Sequence, residues 1–315
     1  MVMLSEAVKI IIETCAGVSP KEEVLIISDK IQDPQIIEAL QFAVEESEGK
    51  VGITTFPELS PEGDLPEYIV ESMSSADIVF ACSREAFSYN NFSECMSSGT
   101  RVLCMFRTAL SSLTRSVSID YDVLEDELNV IARKIESSKS VNIKTPGGAS
   151  LKIDLIGKKP VIGTGLAREK GEIAFIPAGF VAVAPKELTS KGRFIIDGSI
   201  QSIGQLRKPL MAVIQRGKVT DLADDYEYPM VRRRLAIDST SNFLGTLRVG
   251  VNSKAKLCGG AEDNVIRGSI QLGFGDNKFF GGEIQSRSYI NTVSVKGTLL
   301  LDGETLIESS KIRSE

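Results

Sequence analysis

The densest run of groups able to do chemistry lies at residues 268–291, GSIQLGFGDNKFFGGEIQSRSYIN. Residues 269–274 read as a short strand whose glycines permit close backbone approach. Gly275, Asp276 and Asn277 make a turn, and the Gly281-Gly282 pair permits a second one. Arg287, Ser288, Tyr289, Ile290 and Asn291 then begin another alternating strand. Such a strand–loop–strand unit aims Gln271, Tyr289 and Asn291 at one place. All three are polar and neutral. They equip a site for hydrogen bonding, whereas proton transfer calls for a carboxylate or an imidazole.

The 315 residues include no histidine. That removes Ser-His and Cys-His nucleophiles, histidine general bases and imidazole metal ligands at once. The cysteines number five (Cys15, Cys82, Cys95, Cys104 and Cys258) without a CxxC pair, so they read as buried reduced thiols and not as a disulfide framework or a thiolate zinc site. Asp221, Asp224, Asp225 and Glu227 carry hard oxygen ligands for a cation, but lack the spacing of a calcium loop and read as a solvated turn. Glu262 and Asp263, after Gly259-Gly260, are a candidate carboxylate pair or a surface turn. Arg232, Arg233 and Arg234 spread around one helix, which dilutes them as an anion site. Ser47 and Lys50 match Ser-x-x-Lys at a helix end, a poor place for a nucleophile.

These groups need a scaffold, and the hydrophobic pattern supplies two. With 42% hydrophobic and 25% charged residues the chain has ordinary globular composition, and its length favours two domains. The net charge of −6 argues against a nucleic-acid binder. No apolar run reaches the roughly 18–20 residues of a membrane span, and residues 1–13 lack a signal-cleavage pattern, so a cytoplasmic protein with no membrane partner is expected. Residues 1–136 alternate helix (4–15, 34–48, 66–73, 92–98, 121–136) with apolar strands (24–27, 51–56, 76–82, 101–106), which predicts a doubly wound parallel α/β domain. Its loop after Cys82, with Ser83, Arg84, Glu85, Ser88, Tyr89, Asn90 and Asn91, lies at a strand's carboxyl end, where open sheets bind ligands, or is simply a solvated polar loop. Neither GxGxxG nor GxxxxGK[ST] occurs. The breaker-rich stretch 137–148 places the boundary, giving an α/β domain at 1–138 and a β-rich (α+β) domain at 139–315. In the second, residues 149–155, 194–200 and 208–215 alternate with period two, and one helix covers 229–238.

From residue 145 onward the chain resembles a known family. TPGGASLKIDLIGKKPVIGTG, EIAFIPAGFVAVAP, FLGTLRVGVNSKA, GSIQLGFGDN with GG and SRSYIN, and a late DGE follow the order and spacing of the catalytic domain of thermophilic metallo-aminopeptidases of the aminopeptidase T and S type. The dihydroxypyridine ring-cleaving dioxygenases share that pattern. The resemblance covers residues 145–310, and the first domain is matched by its α/β plan. It implies dimers or larger homo-oligomers and a metal site, with two divalent metals in the aminopeptidases and one ferrous iron in the dioxygenases. It also implies where the ligands should fall, and there the chain departs. The glutamate after PAG is replaced by Phe180, and a second glutamate by Thr246. The strand histidine aligns with Gln271 and the final His-x-Asp pair with Tyr289 and Asn291. A loop tyrosine falls at Phe279 or Phe280. The expectation is a protein with no cofactor that binds a small-molecule or peptide-like ligand through Thr246, Gln271, Tyr289 and Asn291, with Arg248 or Arg287 supplying charge for a carboxylate, all in one pocket facing the first domain. Two alternatives stay open. One is an active aminopeptidase whose metal is held by Glu262, Asp263 or Asp276; the other is a structural oligomer subunit without a ligand.

Overall fold

The structure is a computed structural model that describes residues 3–57, 65–84, 86–87, 89–223 and 228–313. Of the candidates above, Glu85, Ser88, Asp224, Asp225 and Glu227 lie outside the described residues. The chain forms two compact units, one from Met1–Asp120 with Gly163–Ala178, the other from Tyr121–Ile162 with Gly179–Glu315.

The first unit is built on parallel strands in the order Lys50–Phe56, Glu23–Asp29, Ile78–Cys82, Arg101–Cys104 and Ile173–Phe175. The order reverses at Glu23–Asp29, which makes the sheet doubly wound. Ile78–Cys82 and Arg101–Cys104 are buried throughout, as their continuous apolar runs require. Helix Pro34–Glu46 starts on Asp33, whose side chain accepts from the Gln35 amide at 3.0 Å, with Pro34 at the first position. Helix Leu4–Ile10 runs into a π-helical turn, Ile11–Ala16, which ends at Gly17 with φ 59°. Helix Leu110–Ser116 escapes the hydrophobic pattern because LSSLTRS is rich in residues that compete for backbone hydrogen bonds.

The second unit begins earlier than a single join at 137–148 would have it. Helix Tyr121–Ser137 belongs to it, and the chain passes between units at 120/121, 162/163 and 178/179. The breaker-rich stretch is a hairpin. Strand Ser140–Thr145 pairs antiparallel with Ala149–Asp154 across Pro146–Gly148, where Gly147 and Gly148 adopt φ 75° and 77°. Its polar look comes from Asn142 and Lys144 facing out, while Val141, Ile143 and Thr145 face in.

Eight strands form one sheet of this unit, in the order Lys218–Ala223, Leu210–Gln215, Lys191–Ile196, Ala149–Asp154, Ser140–Thr145, Thr298–Leu301, Glu304–Glu308 and Lys311–Ile312. Seven form the other, in the order Gly204–Gln205, Ser199–Ile200, Tyr289–Ser294, Ile270–Gly275, Leu244–Gly250, Phe180–Val183 and Pro160–Gly163. The sheets carry complementary buried faces, Ile143, Leu151, Phe194 and Leu299 on the first, Val181, Leu247, Val249 and Leu272 on the second. They come together at Gly297, where a Cβ would lie 2.8 Å from Ile270 Cδ1 and 3.6 Å from Thr145 Cγ2. Among the described residues no helix is long and apolar enough to cross a membrane.

Helix Tyr121–Ser137 is held to its unit by a forked ion pair, Arg267 Nη1 and Nη2 to the two Glu127 carboxylate oxygens at 2.7 and 2.6 Å. Glu127→Gln is expected to lower stability by about 1 kcal/mol, since the two side chains remain 25% and 38% exposed. Arg267→Gln added to it should cost little more. Hydrogen exchange should quicken over 121–137 and stay unchanged over 78–82. Fully additive losses in denaturant titration would show that the two side chains act separately.

Candidate functional site

Antiparallel partners share a face of the sheet, so register decides which side chains can meet. Arg248 stands opposite Gln271 and Ala182, Thr246 opposite Gly273, Gly273 opposite Asn291, Gly275 opposite Tyr289, and Gly250 opposite Phe180. Phe180, Thr246, Arg248, Gln271, Tyr289 and Asn291 therefore lie on one face of the seven-stranded sheet. A bulge between Leu244 and Thr246 sets this phase on the Arg248 strand, where a Cβ on Gly245 would lie 2.6 Å from Gly275 O. Arg287 does not join them. It is exposed, and its amide donates to Asp238 Oδ2 at 2.7 Å.

Gln271 and Asn291 are 0% and 1% exposed and bonded to each other. Gln271 Nε2 donates to Asn264 O at 2.8 Å and to Ser269 Oγ at 3.0 Å. Its Oε1 accepts from Asn291 Nδ2 at 2.8 Å, and the same Nδ2 donates to Asn264 Oδ1 at 2.7 Å. Asn264, in the 3-10 turn Ala261–Val265, closes this carboxamide network, and nothing in the sequence pattern marks it out. Tyr289 lies across the neighbouring strand, its hydroxyl 3.2 Å from Thr246 Oγ1. Gly273 makes that path possible, since a Cβ there would fall 2.2 Å from Thr246 Oγ1 and 2.5 Å from the Tyr289 hydroxyl. Arg234, 7% exposed, braces the same residue by donating from Nη2 to Tyr289 O at 3.0 Å.

Arg248 is the charge in this setting, and it is 7% exposed. Its guanidinium carbon sits 4.2 Å from the Phe180 ring centre and 5.0 Å from that of Phe280. No described residue forms an ion pair with it, and its buried Nε meets no hydrogen-bond partner. Burial lowers its pKa from the ordinary arginine value, while Tyr289 works the other way. Phe280 is presented by a loop wound around Asn277, which is 1% exposed. Asn277 Nδ2 donates to Gly245 O at 3.0 Å, and its Oδ1 accepts from the Ile284 amide at 2.8 Å. The far end of the loop is tied down by Asp238, which accepts from Ser286 Oγ at 2.9 Å and from the Arg287 amide at 2.7 Å.

The candidate carboxylates are engaged elsewhere. Glu262 accepts from the Lys256 amide at 2.8 Å, and Asp263 from the Cys258 and Gly259 amides at 2.7 and 2.9 Å. These are buried loop clasps and not the surface turn that their sequence resembles. Burial pushes the Asp263 carboxyl up, against the Ser199 hydroxyl and the Cys258 and Gly259 amides. Asp276 is half-buried and accepts from the Lys278 and Ser286 amides at 3.1 and 3.3 Å. Among the described residues no three Cys, Asp or Glu side chains come together as metal ligands. Four cysteines are buried as expected, but Cys258 is exposed. Burial drives the Cys82 and Cys104 thiols well up and raises Cys95 to about 11, so none of these three is an activated thiolate.

A resident iron or zinc does not fit this face. Its oxygen donors are neutral amides and hydroxyls, Phe180 offers none, and a guanidinium shares the surface. A divalent ion ~5 Å from that guanidinium would be repelled by on the order of 6 kcal/mol at an effective dielectric of ~20.

The fold is that of the superfamily whose β-rich domain the sequence resembles. Its structure is similar to that of the 2,5-dihydroxypyridine dioxygenase from Pseudomonas putida KT2440, with a TM-score of 0.84 at 15% identity over 99% of this chain and 97% of that one. It is also similar to wild-type AmpT from Thermus thermophilus, with a TM-score of 0.67 at 14% identity over 98% of both chains. The family model described as NicX, 2,5-dihydroxypyridine 5,6-dioxygenase, matches residues 4–314, and the chain belongs to that family. The match thus favours the dioxygenase branch over the aminopeptidases that come first in the sequence resemblance. No curated protein matches the chain.

Two expectations test this geometry. Gly273→Ala should lose about 1–3 kcal/mol by driving Tyr289 and Thr246 apart. Much of that loss should vanish in a background carrying both Thr246→Ala and Tyr289→Ala, where neither side chain lies over the strand. An undiminished loss there would mean that the glycine serves the backbone alone. The second concerns Asp238. Burial opposes its ionisation, but the Arg287 and Thr240 amides and the Ser241 and Thr240 hydroxyls outweigh it and hold the carboxyl well below the usual range. A carboxyl depressed in the folded state stabilises above its unfolded pKa of about 3.9, and that stability fades as pH falls through the folded value. The gap in Tm between wild type and Asp238→Asn should be full at pH 7 and shrink below pH ~4. A gap independent of pH would assign the effect to lost shape and not to charge.

Proposed function

We propose that this chain binds a small carboxylate-bearing molecule at the Arg248 face and does so without a resident transition metal. One observation carries the reading: a buried guanidinium lies against the Phe180 and Phe280 rings with no carboxylate among the described residues beside it. Cations taken out of water in proteins are normally paired, and the missing anion is the natural ligand. Thr246, Gln271, Tyr289 and Asn291 surround that charge with neutral polar groups, which orient a ligand without competing for it. Arg287 is not needed for this role. Chains are expected to associate as dimers or larger homo-oligomers.

The second reading is a dioxygenase acting on a hydroxylated pyridine, and the family match over residues 4–314 favours it. It needs a redox metal, for which the donor set on this face is unsuited. The aminopeptidase reading needs clustered carboxylates. Glu262 and Asp263 clasp one loop, and Asp276 another.

Acetate, benzoate and succinate serve as probes in calorimetry and thermal shift. At ~100 times its Kd a carboxylate should stabilise the protein by about 2.7 kcal/mol. Arg248→Gln should abolish the effect. Arg248→Lys should weaken it at least tenfold, because an ammonium cannot present two parallel donors. Elemental analysis of protein purified without chelator should find no stoichiometric iron, zinc or cobalt. One iron per chain together with oxygen-dependent consumption of 2,5-dihydroxypyridine would replace the first reading by the second.

A further inference from the structure

We infer that the molecule bound here is two-ended, with a carboxylate for Arg248 and an N–H or O–H donor several ångströms away for Asn291 Oδ1. The inference rests on the carboxylate-binding reading and adds the second end.

The acceptor's identity follows from the carboxamide network, read outward from the backbone. Asn264 O can only accept, so the Gln271 group bonded to it at 2.8 Å is Nε2. Gln271 then presents Oε1 to its other neighbour, and Asn291 must answer with Nδ2, at 2.8 Å. The second Nδ2 hydrogen goes to Asn264 Oδ1 at 2.7 Å. Both donors of Asn291 and both ends of Gln271 are thereby used. Asn291 Oδ1 is left buried and without a partner, as is Arg248 Nε on the same face. One orphan accepts and the other donates. Nothing in the fold accounts for either, and an unpaired buried polar group is costly enough to be rare.

Register sets the scale. Arg248 and Asn291 stand two strands and one same-face step apart, so strand spacing puts their Cα atoms ~12 Å from each other. The arginine side chain spans part of that distance, and a molecule of the size of one ring or a short amino acid is of the length that joins the two orphan atoms. Phe180 and Phe280 flank the guanidinium on two sides, their ring planes 74° apart, so a carboxylate meets it from a side they leave open. Its other end then runs toward Asn291. A ligand with a methyl or ether at that end leaves Oδ1 unmet. One with an amine or hydroxyl satisfies it.

The test uses matched probes on the full chain: 3- and 4-hydroxybenzoate and 3- and 4-aminobenzoate against the toluates of equal shape. In wild-type protein the best hydroxy or amino acid should bind roughly tenfold to hundredfold tighter than its methyl counterpart by calorimetry. Asn291→Ala should erase that preference while leaving binding dependent on Arg248. The preference itself is read on unaltered protein, so a variant that fails to fold does not decide the matter. If toluates and hydroxybenzoates bind equally, with binding still lost in Arg248→Gln, the second end is wrong and the carboxylate site stands. If no probe binds in a manner dependent on Arg248, both readings fall together.

Discussion

A guanidinium held out of water with no carboxylate among the described residues is the constraint to which this site answers. Burying an unpaired cation costs several kcal/mol even after the surroundings relax. Cation–π contacts recover up to about 2 kcal/mol each when desolvated, and Phe180 and Phe280 supply two of them. They do not offset the whole, and the unpartnered Nε adds to the imbalance. On the proposed reading, binding of a carboxylate relieves that deficit. The same cation explains the neutrality of its surroundings. A carboxylate beside Arg248 would satisfy it permanently and leave nothing for a ligand to do.

Building the face from carboxamides solves a second problem. Gln271 and Asn291 are buried, and buried amides must find partners. They find each other and Asn264, in a chain of bonds from 2.7 to 2.8 Å that begins at a backbone carbonyl. A network anchored in the main chain has no freedom to flip, so each exposed end has a fixed polarity. Such a network tolerates a guanidinium nearby, which a bound divalent metal would not. Within a family named for dihydroxypyridine dioxygenase activity, this face carries a buried guanidinium among neutral amides and hydroxyls.

Much of this was legible in the residues themselves. The neutral types at 271, 289 and 291 suited hydrogen bonding more than proton transfer, and glycine-rich hairpin signals put those three on one face. The parallel sheet was legible because Ile78–Cys82 and Arg101–Cys104 are apolar without interruption. The strand Ser140–Thr145 was not, because its outward face is polar and Pro146, Gly147 and Gly148 follow it. Nor could local pattern place Ile173–Phe175, three residues that return to the first sheet after the chain has entered the second unit. Arg234 illustrates the limit best. Three consecutive arginines read as a solvated helix face, yet one of them is buried against the Tyr289 carbonyl.

The loop that carries Phe280 shows why arginine in particular occupies position 248. Asn277 bonds to Gly245 O and to the Ile284 amide, fixing the loop to the bulge that also sets the phase of Arg248. One structural device thus positions both the cation and a ring that stacks on it. The two rings stand 74° apart in plane with centres 6.5 Å apart, so they wall the cation on two adjacent sides and leave its other sides open. An ammonium is more strongly hydrated than a delocalised guanidinium, so it would be costlier to hold out of water against the same two rings. This aromatic corner therefore suits arginine, and on the proposed reading the planar fork of donors suits a bidentate acceptor on the open side. The carboxylate geometry proposed for the ligand is thereby built into the protein half of the contact.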